Sequence, residues 1–366
     1  MPNDNRMGWI RNLESLTGGA SQYTAEYELG SECSLHGLLD YGDGRIICAP
    51  MSTEISKEGL WLYNLVLSFP LGALDHTRSI READAKGYYF KDGILGELLA
   101  LLSLFFRCRF YLISTRLSPG DPRSGMTIKT EYPLVRVNCE PKVHPPVFES
   151  PGKNLAVGFT EFLDRVRTLD KGLHQNFILA CYHYRRALNE IGVDSEMVFI
   201  RLVSAIEALS KDTKLTGRED ALEAAGVADL ISQSNMSAEL KAELRTVFDV
   251  RKSRKKFVRF VERHCSGFFN GGNFKASRLK IKKADLGKVL TNIYEARSRY
   301  LHSGEPMFLS RPMRGGEKWD TDPSLGMIAD NRSIPGSKKL PYGYFFEGLV
   351  RQCLLNYLKN NAAEEP

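Results

Sequence analysis

Arg297 and His302 stand five residues apart in the run Ile293-Tyr294-Glu295-Ala296-Arg297-Ser298-Arg299-Tyr300-Leu301-His302-Ser303-Gly304-Glu305. A guanidinium is a cation that never titrates, and an imidazole gains or loses a proton near neutrality. Together they can hold an oxyanion and move a proton, which is the chemistry a phosphodiester requires. The arginine is also out of place for a packing residue. Leu286, Leu290 and Ile293 recur at helical spacing as an apolar stripe, and the next step of that stripe lands on Arg297. Desolvating a lone guanidinium is costly, so this one must have a carboxylate or a ligand.

Two other segments bear on the pair. In Phe199-Ile200-Arg201-Leu202-Val203-Ser204-Ala205-Ile206-Glu207-Ala208-Leu209, Glu207 follows Ile200 and Val203 at helical spacing and falls at the edge of the apolar face. A carboxylate there would pair with Arg297 or orient His302. The block from Arg251 to Lys283 carries twelve Lys or Arg against one acid, Glu262, with Phe257, Phe260, Phe268, Phe269 and Phe274 interleaved. Basic side chains hold phosphates and aromatic faces stack on unpaired bases. Arg254, Lys255, Lys256, Arg259 and Arg263 of this block, with Arg299, are the candidate RNA contacts. The plainer alternative is a structural arginine bonded to Glu207, a surface histidine at a helix end and a basic block that is a solvated face.

These segments, in this order, resemble the Apea-like branch of the HEPN domain family. The run from Ile293 to Glu305 is similar to its R-x4-6-H motif. The Ala-Ile-Glu-Ala-Leu run at 205–209 resembles its earlier helix, and Lys256-Phe257-Val258-Arg259-Phe260 and a final helix from Tyr344 to Leu358 fit its layout. The resemblance covers roughly residues 175–360. It implies an all-α helical bundle that dimerises and brings two motifs to a shared cleft. Many members are metal-independent ribonucleases, often in antiviral defence or toxin–antitoxin systems, and others only bind RNA, a nucleotide or a protein partner.

Carried onto this chain, Arg297 would hold the scissile phosphate. His302 would be general acid or base in attack by the RNA 2′-hydroxyl, leaving a 2′,3′-cyclic phosphate and a 5′-hydroxyl. Ser298 and Glu207 complete the candidate catalytic set. Many active members have a larger polar group after the arginine; Ser298 can hydrogen-bond there but does not transfer a proton near pH 7. Five residues rotate a straight helix by ~140°, so Arg297 and His302 do not share a face. Either the helix ends or bends near His302, as Gly304 and Pro306 suggest, or a partner subunit completes the site.

The elements that must position these residues split in two. Residues 1–150 read as an α+β domain with a sensor or regulatory role. Arg45–Ala49, Phe110–Ser114 and Leu134–Cys139 read as strands, Leu60–Phe69 is a further apolar run, and Asp92–Phe106 reads as a helix capped by Asp92. Residues 151–366 read as a HEPN-like helical domain with a long loop over 303–343. Its helices are expected over 159–169, 176–190, 195–210, 237–248, 254–264, 285–302 and 344–360, with Asp194 and Asp285 as N-caps.

At 366 residues the chain is long enough for two cores. Its seven cysteines form no C-x-x-C pair and fit a reducing cytoplasm. The N-terminus is polar, so a signal peptide is not expected. Leu98–Phe106 is too short for a membrane span, which needs roughly 20 apolar residues. No metal or other cofactor is expected, because Cys and His are not clustered. The expected partners are RNA, a second copy of the chain, and a protein trigger or antitoxin.

Overall fold

The computed structural model describes residues 8–16, 22–52, 54–56, 59–70, 93–117, 128–129, 153–191, 193–211, 213, 229–270, 281–307, 327–329, 332–334 and 340–363. The strand expected at Leu134–Cys139, the cap Asp92, the ring of Phe274 and the boundary at 150/151 lie outside this set. Contacts divide the chain into two compact units, Met1–Val193 with Leu358–Pro366, and Asp194–Tyr357.

The first unit is an α+β arrangement, as its sequence suggested. It opens with helix α1 (Gly8–Leu16) and strands β1 (Gln22–Ser31), β2 (Leu35–His36), β3 (Leu39–Tyr41), β4 (Ile46–Pro50) and β5 (Trp61–Pro70). Helix α2 (Gly93–Phe106), β6 (Tyr111–Leu117), β7 (Ile128–Lys129) and β8 (Lys153–Asn154) follow. The main sheet is antiparallel in the order β3-β4-β5-β1-β6-β7. β1 lies inside it, paired with β5 from Gln22↔Pro70 to Ser31↔Trp61 and with β6 across a bulge at Glu28/Leu29. Helices α3 (Phe159–Arg167) and α4 (Lys171–Glu190) belong to the same unit.

The apolar run expected at Leu60–Phe69 falls largely within strand β5 (Trp61–Pro70), where alternate residues Tyr63, Leu65 and Leu67 are buried, a period of two. α2 buries Leu98, Leu99, Leu101, Leu102 and Leu104. Each such leucine contributes about 1.5–3 kcal/mol relative to exposure, so this helix is held in a core. Among the described residues no helix is long and apolar enough to cross a membrane.

One carboxylate lies in that core. Glu97 is 1 % exposed and accepts the backbone N–H groups of Gly8 and Trp9, both at 3.0 Å. These are orphan donors of the first turn of α1, so Glu97 ties that helix end to α2. Residue 8 must be glycine for the approach: a Cβ there would stand 2.9 Å from Ile94 Cγ1.

The second unit is helical. It holds α5 (Ser195–Ser210), α6 (Ala238–His264), α7 (Leu286–Ser303), a hairpin of β9 (Met327–Ala329) and β10 (Arg332–Ile334), and α8 (Gly343–Asn361), of which residues through Tyr357 belong here. Asp194 caps α5 as expected, accepting from the backbone N–H of Glu196 and Met197 at 3.0 Å each. Asp285 precedes α7 but makes no capping bond through its side chain, because a 3-10 turn over Lys283–Asp285 leads into the helix. The two helices expected at 237–248 and 254–264 are one, α6, since nothing between them is Gly or Pro and the i→i−4 ladder runs through.

Burial pushes the Glu97 carboxyl up to about 7, against the partial opposition of the two N–H donors. The raised value means the folded state binds the proton more tightly than the unfolded chain. Its contribution is complete below the ordinary value of 4.5 and is lost as pH rises through 7, by roughly 3 kcal/mol. Thermal unfolding between pH 4.5 and 8 is expected to show Tm falling with pH in wild type, and a flatter profile in Glu97→Gln. An unchanged slope in the variant refutes the assignment.

Candidate functional site

The apolar stripe of α7 is buried as its spacing required: Leu286, Leu290 and Ile293 are at most 1 % exposed. The stripe then delivers Arg297 to the edge of this packing, its side chain 19 % exposed. There the arginine meets Glu207 of α5. Arg297 Nη2 donates to Glu207 Oε2 at 2.8 Å, and the Tyr294 hydroxyl donates to Glu207 Oε1 at 2.9 Å. Tyr294 and Arg297 are three residues apart on one helix face, and the guanidinium carbon lies 5.7 Å from the centre of the Tyr294 ring. Phe257 of α6 packs on that ring, centroids 5.3 Å apart.

Two helices thus meet at one carboxylate, and a third packs on the tyrosine bonded to it. Burial, with Glu207 beside it, pushes the Tyr294 hydroxyl up to about 12, so it remains a donor at neutral pH. One of the arginine's five donors is engaged by Glu207; its buried Nε–H has no hydrogen-bond acceptor among the described residues. Of the two roles open to Glu207, the geometry gives pairing with Arg297.

His302 is exposed in the last turn of α7, and Ser298 is half-buried. α7 stays helical through Ser303 and closes on Gly304, whose φ of 67° is the left-handed conformation glycine tolerates and whose N–H returns to the Tyr300 carbonyl at 3.1 Å. The helix end therefore lies beyond His302 and does not swing the imidazole round to Arg297, as one reading of the sequence had it. Within one chain the two residues leave the helix ~140° apart.

The basic block is amphipathic rather than interleaved. Phe257, Phe260 and Phe268 are at most 5 % exposed and pack on Tyr294, Tyr357 and Phe345 respectively, so these three are core and not a stacking surface for bases. His264 packs with Phe260 and Tyr357, and burial together with Arg263 lowers it to about 4. The charges take the other side of α6, where Lys252, Lys256, Arg259 and Arg263 recur at i, i+4, i+7 and i+11.

The structure does not leave the candidate RNA contacts equally available. Arg254 pairs with Glu295 of α7, Arg299 with Glu305 at 3.2 Å, and Arg259 lies 3.7 Å from Glu262. Lys256 donates to the Lys211 carbonyl, Lys255 is half-buried, and Arg263 is exposed. Tyr294 had no assigned role in the sequence, although its i, i+3 spacing to Arg297 was the available signal. Among the described residues no group of three or more His, Cys, Asp or Glu is disposed to hold a metal ion.

No protein-family profile, curated protein or solved structure matches this chain.

The Glu207–Arg297 pair is a measurable coupling. Glu207→Ala strands a mostly buried cation and is expected to lower the unfolding free energy by roughly 2 kcal/mol. In an Arg297→Met background the same change is expected to cost much less. Denaturant unfolding of wild type, both single variants and the double variant gives the coupling energy, and simple additivity contradicts the pairing.

Proposed function

We propose that this chain is a metal-independent endoribonuclease of the HEPN type, acting as a homodimer. The observation that carries the reading is the mounting of Arg297. A half-buried guanidinium is oriented by a shared carboxylate and an aromatic face, yet most of its donors remain for an oxyanion. A cation preorganised in this way stabilises charge that develops on phosphorus oxygens without having to reorganise. In the reaction the RNA 2′-oxygen bonds to phosphorus, its proton passes to a base, and the bond to the 5′-oxygen breaks as that oxygen takes up a proton. His302 supplies the proton transfer, and Ser298 supplies a hydrogen bond beside the phosphate.

The splay of Arg297 and His302 on an unbroken helix supports the dimeric form of this reading. Each chain holds half a site, and the histidine that serves one arginine belongs to the partner subunit. The same splay favours one rival, a non-catalytic module in which Arg297 anchors a phosphate of RNA or a nucleotide and His302 has no part.

Incubation of RNA with wild type in EDTA is expected to give fragments ending in 2′,3′-cyclic phosphate. His302→Ala and Arg297→Ala are each expected to lower the rate about 100-fold or more. Activity per mole of chain should fall on dilution. No cleavage by wild type, or cleavage retained in both variants, removes the nuclease reading; tight, salt-sensitive binding without products supports the rival.

A further inference from the structure

The last ladder pair between β1 and β6 is Gly30↔Tyr111. Continuing that antiparallel register past the strand ends sets Ser31 opposite Phe110, Glu32 opposite Arg109 and Cys33 opposite Cys108. The middle step is seen directly. Arg109 Nε donates to Glu32 Oε2 at 2.9 Å, and Arg109 Nη2 pairs with Glu32 Oε1. Residues directly opposite in an antiparallel pair have Cα atoms about 4.5–5.5 Å apart. A disulfide spans about 4.4–6.8 Å between Cα atoms. The register alone therefore brings Cys33 and Cys108 to bridging distance.

The two thiols also meet. A hydrogen bond with Cys33 is the first cause that pushes the Cys108 thiol well above its ordinary value, and burial is the second. Cys48, Cys181, Cys265 and Cys353 are raised chiefly by burial, and none of them through a hydrogen bond with another thiol. Among the described residues no group of His, Cys, Asp or Glu is disposed to make the pair a metal site.

The backbone holds both cysteines in place. The Tyr63 hydroxyl of β5 donates to the Cys33 carbonyl at 2.6 Å and accepts the Leu35 N–H at 2.8 Å, and the Cys33 N–H donates to Ser31 Oγ at 3.2 Å. On the other side the Cys108 thiol donates to the Phe106 carbonyl at 3.2 Å. The chain leaves α2 through Arg107 at φ 56°, a left-handed conformation uncommon for a residue with a Cβ. That sharp exit delivers Cys108 to the β1 end.

We propose that Cys33 and Cys108 are a reversible disulfide site of the α+β unit, closed by exchange with a small disulfide and reopened by small thiols. Cys33, 5 % exposed against 0 % for Cys108, is the first to react. Both lie beyond the paired ends of β1 and β6, so local opening gives access. The Cys33 sulfur, having lost its proton, bonds to one sulfur of the small disulfide and expels the other as a thiolate, which takes up a proton. The Cys108 sulfur then attacks Cys33 and expels the second small thiol. Two protein thiols are oxidised, and one small disulfide is reduced to two thiols. The inference is independent of the nuclease reading.

The test uses the folded full chain, incubated at length with oxidised glutathione. Peptide mapping without reduction is expected to find a Cys33–Cys108 link, lighter by two hydrogens than the two thiols. The bridge closes a loop of about 75 residues, so Tm should rise by roughly 10 °C and fall back with dithiothreitol. Cys33→Ser and Cys108→Ser should lose that rise, and Cys48→Ser should keep it.

The mapping of wild type depends on no variant. Absence of the link in wild type overturns the proposal. So does a link from either cysteine to Cys48 or to a second chain, or glutathione left on Cys33 with Cys108 failing to displace it. A Cys33–Cys108 link that leaves Tm level or lowers it also overturns the proposal, because the folded geometry is then not the one that closes.

Discussion

The helical unit turns on a single shared carboxylate. Both oxygens of Glu207 are occupied, one by the Tyr294 hydroxyl and one by the Arg297 guanidinium. α5 is mostly apolar and buried around Glu207, so a charge there has few places to go, and its cost is offset only where opposite charge and hydrogen-bond donors converge. That requirement fixes the rotation of α7 against α5. It also places Tyr294 under Phe257, and so brings α6 into the same register. The Arg254–Glu295 contact lies on the same α6–α7 seam. The position of Arg297 follows from these constraints together.

Much of this was legible in the residues. The stripe Leu286, Leu290, Ile293 predicted the buried face of α7 and put Arg297 on its next step; the structure places that arginine at the edge of the packing. Ile200 and Val203 predicted that Glu207 would sit at an edge. Asp194 announced the start of α5, and the apolar density of α2 announced a core helix. These are local signals, set by the helical repeat and by one cap.

Other features depend on partners far along the chain. β1 lies inside the sheet, yet at Gln22–Ala25 and Glu26–Leu29 it alternates polar and aromatic residues that give little apolar signal; its pairing with β5 and β6 makes it a strand. The basic block was harder for another reason. Phenylalanines scattered among lysines and arginines look interleaved until the helix phase is applied. Phe257, Phe260, Val261 and His264 then fall on one side at i, i+3, i+4 and i+7, and the charges on the other.

The six described cysteines, Cys33, Cys48, Cys108, Cys181, Cys265 and Cys353, are buried and form no disulfide. Burial drives the thiol of Cys48 to about 12 and those of Cys181 and Cys353 well above the ordinary value. Such thiols do not react in place; an alkylating reagent reaches them only when the surrounding structure opens. Four of them belong to the α+β unit and two to the helical unit. The chain therefore carries its own clocks: the rate at which each sulfur is capped reports how often its part of the fold breathes, separately for the two units and without any added label.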